Sequence, residues 1–313
     1  MSLIVDKHIA VLKGGPGSER LVSLKTAEGV AEALRSCGAK VSEIDVSGDS
    51  FEVPSDVLVA VNMIHGTYGE DGQLQAKLER DGIPYTGEGI ETSRVAFDKA
   101  LSKERFLSAG VPTPRSQNLK LDGVDQLTIS LPVVVKPPRE GSSVGVHICH
   151  TEEELEAALQ DARRYGDTTL VEEYVSGWEL TVGILGDQVL PIIRIMPVDG
   201  FYDINNKYPW MTGSGKSEYQ CPAELPETSG ELTARVQHAA KAAFAAIGGC
   251  VYGRVDVMLR ESDWQPFVLE VNTIPGMTPT SLLPKACAQV GISYEQLCVR
   301  IIELSLKARP SGP

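Results

Sequence analysis

The sequence lacks long apolar runs and paired cysteines. No stretch of about 18 apolar residues occurs among its 313 residues, and the start carries no basic segment followed by an apolar one. We therefore expect no membrane-spanning helix and no secretory signal. The six cysteines form no CxxC motif and no paired spacing, which is typical of small core residues in a protein of the reducing cytoplasm.

Positive charge is also scarce. The chain has 29 Lys and Arg residues against 42 Asp and Glu residues, which gives a net charge of −13. This balance argues against a surface that binds nucleic acid or an anionic membrane, so neither is expected as a partner. The composition, with 42% hydrophobic residues and no internal repeat, is that of a globular protein long enough for two or three domains.

The segment 253–276 predicts a β-hairpin in which polar residues interrupt apolar strands. Glu270 and Asn272 are two residues apart and therefore project from one face of the returning strand. If the two strands pair, Asp256 lies opposite that face and close to Arg254. Such oxygen ligands suit Mg²⁺ that also holds substrate phosphates. The alternative is a solvated outer face of an edge hairpin.

The chain begins with a predicted strand at 8–12, a glycine-rich turn and a helix with apolar residues at helical spacing. This Rossmann-like unit lets a ligand approach backbone N–H groups at the start of a helix. The dinucleotide-binding motif GxGxxG would need a glycine where Arg20 stands. The turn therefore indicates nucleotide binding only weakly. Glu19 is either a first-turn acid favoured by the helix dipole or a group that receives a ligand ammonium.

Further strands at 40–44 and 57–64 continue the alternating α/β pattern. His65 follows the third strand, at the kind of carboxyl-end loop where α/β folds bind ligands, although a capping role is equally compatible with this position. A domain boundary is expected near residue 88. The next segment predicts one helix from about Ser93 to Ala109, with Lys99 inside it.

An apolar strand at 131–135 leads directly into Lys136 and a loop of small residues at 139–146. The lysine and the backbone donors of the loop suit a phosphate group, whereas a plain surface hairpin is the alternative. Another strand, at 170–175, turns from apolar to acidic. There Glu172 could accept a hydrogen bond from the amino group of an adenine, or the segment could be an ordinary exposed strand end.

Two motifs are expected to carry no function. The segment 213–217 ends like a Walker A loop, but Trp210 stands where the first glycine belongs. His147, Cys149 and His150 share a strand, and because the two histidines face opposite sides, zinc binding is not expected.

Taken in order, these segments resemble the D-alanine–D-alanine ligases of the ATP-grasp superfamily over nearly the whole chain. Rival interpretations are another ATP-grasp carboxylate–amine ligase and a non-catalytic nucleotide-binding protein with the same fold. The matching motifs are GGPGSERLVSL (14–24), HGTYGEDGQLQA (65–76), KPPREGSSVG (136–145), VEEYVSGWE (171–179), FYDINNKY (201–208), GRVDVML (253–259) and LEVNTIPGMTPTSL (269–282).

The resemblance implies an α/β, three-domain ATP-grasp fold with a Rossmann-like N-terminal domain. The expected domains are an N-terminal one at 1–87, a small central ATP-grasp one at 88–171, and a C-terminal one at 172–313 that carries the metal and substrate site. ATP would lie between the central and C-terminal sheets, and the amino acids where all three domains meet. A homodimer in the cytoplasm is also implied.

The resemblance further implies ATP-dependent joining of two D-alanines through an acyl phosphate, for peptidoglycan precursor synthesis. Two Mg²⁺ or Mn²⁺ ions would be held by Asp256, Glu270 and Asn272. The residues implied to bind ATP are Lys99, Lys136, Ser143, Glu172, Glu173, Val175, Glu179 and Lys207.

The amino-acid sites are implied in the same way. The groups expected to bind D-alanine are Glu19, His65, Ser281 and Leu282, and those expected to take part in catalysis are Glu19, Ser142, Tyr208, Arg254 and Gly276. In the family, a tyrosine at the position of Tyr208 accompanies a dipeptide product, whereas ester-forming relatives carry histidine in this loop. The chain departs from common members in the Gly- and Ser-rich loop 209–218 and at Ile204, where a second tyrosine is frequent.

Overall fold

The computed structural model describes residues 3–122, 126–197, 217–226 and 230–309. In these ranges the strands are β1 (His8–Gly14), β2 (Lys40–Val46), β3 (Val57–Asn62), β4 (Ser116–Lys120), β5 (Val133–Lys136), β6 (His147–Cys149), β7 (Thr168–Glu173), β8 (Gly177–Leu185), β9 (Gln188–Val189), β10 (Ile193–Pro197), β11 (Ser217–Gln220), β12 (Tyr252–Arg260) and β13 (Gln265–Asn272). The helices are α1 (Arg20–Ser36), α2 (Gln73–Arg80), α3 (Ile90–Phe97), α4 (Lys99–Ser108), α5 (Glu152–Ala162), α6 (Glu231–Ala246), α7 (Leu282–Gln289) and α8 (Tyr294–Ala308). None of the described helices is long and apolar enough to cross a membrane.

The N-terminal part is a parallel sheet in the order β2-β1-β3. Its central strand is almost wholly buried, as expected for a parallel strand covered by helices. On α1, the predicted apolar face is confirmed, because Ala27, Val30, Ala31 and Leu34 are all buried. The third strand ends at Asn62 rather than at residue 64, because the Asn62 side chain accepts a hydrogen bond from the Ile64 N–H and donates one to the Gly69 carbonyl.

Two antiparallel sheets follow. The first has the order β4-β7-β5-β6, and α5 packs on it through Leu155 and Ala158. The second has the order β11-β10-β8-β12-β13, with β9 paired to β8, and α6 covers one of its faces. The predicted hairpin is therefore the β12–β13 pair at the end of this larger sheet.

The single helix predicted from Ser93 to Ala109 is wrong. Two helices, α3 and α4, meet at Asp98, whose backbone is extended with φ −89° and ψ 103°. The Asp98 carboxylate accepts hydrogen bonds from the N–H groups of Ala100 and Leu101 and so caps a new helix. This break makes Lys99 the first residue of α4.

The segment that leaves the N-terminal sheet is held firmly against the C-terminal part of the chain. The carboxylate of Glu88, which is 2% exposed, accepts hydrogen bonds from the N–H groups of Cys250, Val251 and Tyr252. Arg309 at the end of α8 donates to the carbonyls of Tyr85 and Gly87. The predicted domain ranges stay predictions, and β7 continues two residues past the boundary expected at 171.

Substitution of Glu88 tests the importance of this junction. In Glu88→Ala three buried N–H groups lose their acceptor, so we expect the free energy of unfolding to fall by about 2–4 kcal/mol. Glu88→Gln keeps one acceptor oxygen and should lose clearly less. Urea denaturation of both variants measures the difference, and equal stabilities would show that the carboxylate is not what fixes the junction.

Candidate active site

Two adjoining cavities lie where the sheets meet. The larger, of about 330 Å³, is enclosed by the glycine turn before α1, the loop after β3, the β12–β13 hairpin and the start of α7. The smaller, of about 160 Å³, lies between the two antiparallel sheets. They share a wall made of Lys99, Glu140, Gly141 and Glu270. A molecule in one cavity would therefore meet a molecule in the other beside these residues.

The hairpin brings the predicted acidic and amide groups together. Pairing of β12 with β13 places Asp256 opposite Glu270 and Arg254 opposite Asn272. Arg254 donates two hydrogen bonds to Asp256, of 2.9 and 2.7 Å, and Asn272 donates a third of 3.1 Å. Thr181 on β8 also donates to Asp256 at 2.6 Å. Asp256 is only 5% exposed, and these four hydrogen bonds fix the position of its carboxylate.

This donor set fits a magnesium ion. It consists of two carboxylates and one amide oxygen, all of them hard ligands. Within the described ranges, no three His, Cys, Asp or Glu side chains group into a metal site. Two protein carboxylates beside a phosphate-binding cleft are typical of Mg²⁺, which keeps several waters and completes its shell with substrate phosphates.

Lys99 stands in the shared wall. Its ammonium lies 3.1 Å from Glu270 Oε2 and donates to the Glu140 carbonyl at 2.7 Å. Burial acts to lower the pKa of Lys99, but the nearby charges of Glu270 and Glu172 outweigh it and hold the pKa above its ordinary value. Lys99 therefore presents a fixed positive charge at the point where the two cavities join.

The smaller cavity is lined by six of the predicted ATP-binding residues besides Lys99. Lys136, at the end of β5, lies 2.8 Å from Glu172 Oε2. Glu173 pairs with Arg115 at the edge of the cleft, at 3.0 Å. The six residues are Lys136, Ser143, Glu172, Glu173, Val175 and Glu179, and the lining also includes Asp256 and Glu270 of the predicted metal set.

The loop after Lys136 closes over both cavities in a strained conformation. Ser142 and Ser143 have φ angles of 52° and 59°, in the left-handed region that non-glycine residues seldom adopt. The Ser142 hydroxyl donates a short hydrogen bond to Glu19 Oε1. A Cβ at position 141 would lie 2.5 Å from Glu19 Oε2, so only glycine lets the loop approach this carboxylate.

His65 is buried in the larger cavity wall. Its Nδ1 donates to the Ile274 carbonyl at 3.0 Å, and its Nε2 lies 3.1 Å from Thr26 Oγ1. Glu70 Oε1 is 3.8 Å from the ring. Burial acts to lower the pKa of His65, but the carboxylates of Glu70 and Glu19 outweigh it and hold the pKa above its ordinary value. His65 thus belongs to a cluster with the carboxylates of Glu70 and Glu19, and its role is not limited to capping.

The start of α7 forms the far end of the larger cavity. Ser281 is its N-cap residue and Leu282 its first residue, as predicted, so N–H groups at the start of the helix point toward the cavity. Gly276 also lines the cavity close to this helix start, since a Cβ on it would lie 3.1 Å from Ser281 Oγ. Lys285, one turn later, also lines the cavity and lies over the Tyr219 ring.

The structure brings the described candidates together around the two cavities. Lys207 and Tyr208 lie outside the described residues, as does most of the Walker-like segment 213–217. His147 Nε2 donates to Asp161 Oδ2 at 3.0 Å, and His147 takes no part in a metal site among the described residues. The larger cavity is lined by Glu19, His65, Lys99, Ser142, Arg254, Glu270, Asn272, Gly276, Ser281 and Leu282.

Sequence reasoning missed three buried polar residues. Thr26 contacts His65, Glu70 flanks it, and Lys103 pairs with Glu172. For Lys103 a signal was available, because it lies one helical turn after Lys99 and thus on the same face of α4. For Thr26 no signal was available, since its partner His65 lies 39 residues away, whereas Glu70 follows His65 by five residues in the same motif.

The elevated pKa of His65 can be measured by NMR titration of the imidazole, with His65→Gln used for assignment. We expect a value above the usual 6.5 or so in the wild type and a lower value in Glu70→Gln, where only Glu19 and the Ile274 carbonyl still oppose the effect of burial on the pKa. The ionic contribution to stability is then present below pH ~6.5 and is lost as the pH rises through the folded-state pKa. An unchanged pKa in Glu70→Gln would show that Glu70 does not set it.

Comparisons with known proteins agree over most of the chain. A family model for the D-ala D-ala ligase C-terminus matches residues 111–303. A D-alanine–D-alanine ligase from Methylacidiphilum infernorum is 45% identical over 305 residues, 97% of each chain. Another from Syntrophotalea carbinolica is 44% identical over 300 residues, 95% of each chain.

Solved structures give the same result. A Bacillus anthracis D-alanine–D-alanine ligase complexed with ATP has a TM-score of 0.83 and 34% identity, covering 97% of this chain and 98% of its own. The VanG D-Ala:D-Ser ligase of Enterococcus faecalis has a TM-score of 0.81 and 27% identity, covering 96% and 99%. The chain has the ATP-grasp fold that its motifs predicted, and it belongs to the D-alanine–D-alanine ligase family.

Proposed function

We propose that this protein joins two D-alanine molecules to D-alanyl-D-alanine with consumption of ATP, for peptidoglycan precursors. The names of its full-length relatives support the substrate class. The single observation that carries the proposal is the shared wall of the two cavities, where Lys99 and Glu270 border both. A nucleotide in the smaller cavity would there direct its terminal phosphate at an amino acid in the larger one.

The nucleotide is held by groups of the smaller cavity. The lysines neutralise phosphate charge, the loop closes over the phosphates, and the end of β7 contacts the base and ribose. Lys207, from the part of the chain that the structure does not describe, approaches the γ-phosphate. The proposed ATP-binding residues are Lys99, Lys136, Ser143, Glu172, Glu173, Val175, Glu179 and Lys207.

Asp256, Glu270 and Asn272 are proposed to hold two Mg²⁺ or Mn²⁺ ions against the phosphates. When bound, these ions neutralise charge that builds on the transferring phosphoryl group. Arg254 lies beside this site, because it donates two hydrogen bonds to Asp256. Its side chain also lines the larger cavity, where it would contact the reacting amino acid.

In the first step, a carboxylate oxygen of the first D-alanine attacks the γ-phosphorus, and the bond to ADP breaks. Glu19 receives the ammonium of this D-alanine. His65 and the carboxylates near it form the acidic end of the cavity where this ammonium binds. Lys99 lies where two anions approach, and its fixed charge lowers the repulsion between them. The product is an acyl phosphate, which the closed loop protects from water.

In the second step, the amine of the other D-alanine attacks the acyl carbon. Ser281 and Leu282 hold its carboxylate at the start of α7. Arg254 and the Gly276 N–H donate to the oxyanion, and phosphate leaves with the former carboxylate oxygen. The proton of the amine passes to Glu19, which is hydrogen-bonded to Ser142, and the family resemblance assigns Tyr208 to the same role.

The product is proposed to be the dipeptide rather than an ester, because Lys207-Tyr208 matches the dipeptide-forming relatives. Because the chain is also similar to a D-Ala:D-Ser ligase, we expect relatives to differ mainly in the site that binds the second amino acid. We also propose that the protein is a homodimer in the cytoplasm. This part of the proposal rests on the family resemblance.

Arg254→Ala tests the oxyanion assignment. Removing one donor of this kind lowers kcat by about 10²–10³-fold, so we expect a loss of this size in ADP release with ATP, Mg²⁺ and D-alanine. Arg260→Ala is the matched control, because Arg260 lies on the same strand and lines neither cavity. Equal activities of the two variants would rule out the role of Arg254.

Substrate choice is tested at neutral pH with D-alanine alone, with L-alanine, and with D-alanine plus D-lactate. We expect ADP release that depends on D-alanine, and dipeptide as the product even with D-lactate present. Mass spectrometry of the products distinguishes amide from ester. Ester formation would overturn the assignment of Tyr208, and ATP binding without turnover on any amino acid would favour a non-catalytic protein.

A further inference from the structure

A buried lysine lies behind the smaller cavity and has no part in the reaction as described above. Lys103, on α4, is 2% exposed. Its ammonium donates to Thr113 Oγ1 at 2.7 Å and to the Pro114 carbonyl at 2.9 Å, and lies 2.8 Å from Glu172 Oε1. Lysine is almost never buried to this degree unless it is paired. Two of its N–H groups are thus hydrogen-bonded, and its contact with Glu172 is an ion pair.

Glu172 connects this lysine to the nucleotide cleft. Its two carboxylate oxygens are divided, since Oε1 faces Lys103 and Oε2 lies 2.8 Å from the ammonium of Lys136. Burial acts to raise the pKa of Glu172, but the two ammonium groups outweigh it and lower the pKa. The carboxylate is therefore charged, and the three groups carry a net positive charge on the wall of the smaller cavity.

The same lysine also joins separate parts of the fold. The Thr113 hydroxyl donates a hydrogen bond to the Val268 carbonyl on β13, at 2.8 Å. Lys99 begins α4 one turn before Lys103, so the two lie on one face of the helix, and of the two it is Lys99 that lines both cavities. Lys103 thus links α4, the end of β7 and the catalytic hairpin. A hydrophobic residue of similar volume would fill this space without the cost of burying a charge, so packing alone does not account for it.

We propose that Lys103 is a positioning residue that, through Glu172, holds Lys136 at the phosphate end of the nucleotide cleft with its charge directed toward the phosphates. This inference rests on the proposed ATP binding. With Lys103 in place, the carboxylate of Glu172 interacts with two ammonium groups. The positive charge of Lys136 is then only partly neutralised and still attracts phosphate. Without it, Glu172 and Lys136 form a neutral pair, and the ammonium is drawn back toward the carboxylate.

Lys103→Met tests the proposal, because it keeps the length of the side chain and removes its charge. We expect ADP affinity, measured by titration calorimetry, to fall by about 10- to 100-fold, as for a misplaced binding group. Adenosine has no phosphates, and its affinity should stay unchanged. In steady-state assays KM for ATP should rise while KM for D-alanine stays constant.

Thr113→Val is the matched control. It removes the link to β13 and one acceptor of Lys103 but leaves the contact between Lys103 and Glu172, so it should lower stability and spare ADP affinity. If Lys103→Met does not fold, Lys103→Gln replaces it, since an amide can still bond to Thr113 without supplying a charge. Urea denaturation establishes that each variant is folded.

The outcomes separate this inference from the proposed function. Selective loss of ADP binding with adenosine binding retained supports the positioning role. Equal loss of both ligands, or no loss of either, overturns it and leaves Lys103 a structural residue. If the wild-type protein itself binds no ADP, the proposed function fails, irrespective of Lys103.

Discussion

The pairing of β12 with β13 determines where the charged groups of the site lie. Both Val268 and Val271 are buried in the core, although residues three apart cannot share a face of a regular strand. The register shift after Asp256 resolves this conflict, because β13 gains an extra residue there and turns Glu270 toward Asp256. A shift of one residue without this bulge would send the acids into the core.

Charge is separated within the larger cavity. Glu19 and its acidic neighbours face one end, while Lys99, Arg254 and the start of α7 supply positive potential elsewhere. A zwitterionic amino acid and a phosphate are thus oriented by opposite fields, although the chain as a whole has a net charge of −13. Because the cavity walls are largely buried, these charges act in a medium of lower dielectric than water and are weakly screened.

The sequence predicted those parts that depend on local pattern. The hairpin, the parallel N-terminal sheet and the start of α7 follow from apolar alternation and capping, and the order of the motifs identified the family. The break at Asp98 was missed because an aspartate inside a helical pattern can either lie on the surface or cap a new helix. The burial of Lys103 was missed because its partner Glu172 lies far along the chain, and only tertiary structure brings the two together.

Following the carboxylate oxygen of D-alanine is the most direct test of the reaction proposed at the wall that the two cavities share. D-Alanine labelled with ¹⁸O in its carboxylate is incubated with the protein, ATP and Mg²⁺, and the phosphate released is analysed by mass spectrometry. Attack on the γ-phosphorus followed by displacement by the amine predicts labelled phosphate for each dipeptide formed. Dipeptide accompanied by unlabelled phosphate would contradict an acyl phosphate, and label in AMP would place the attack at the α-phosphorus instead.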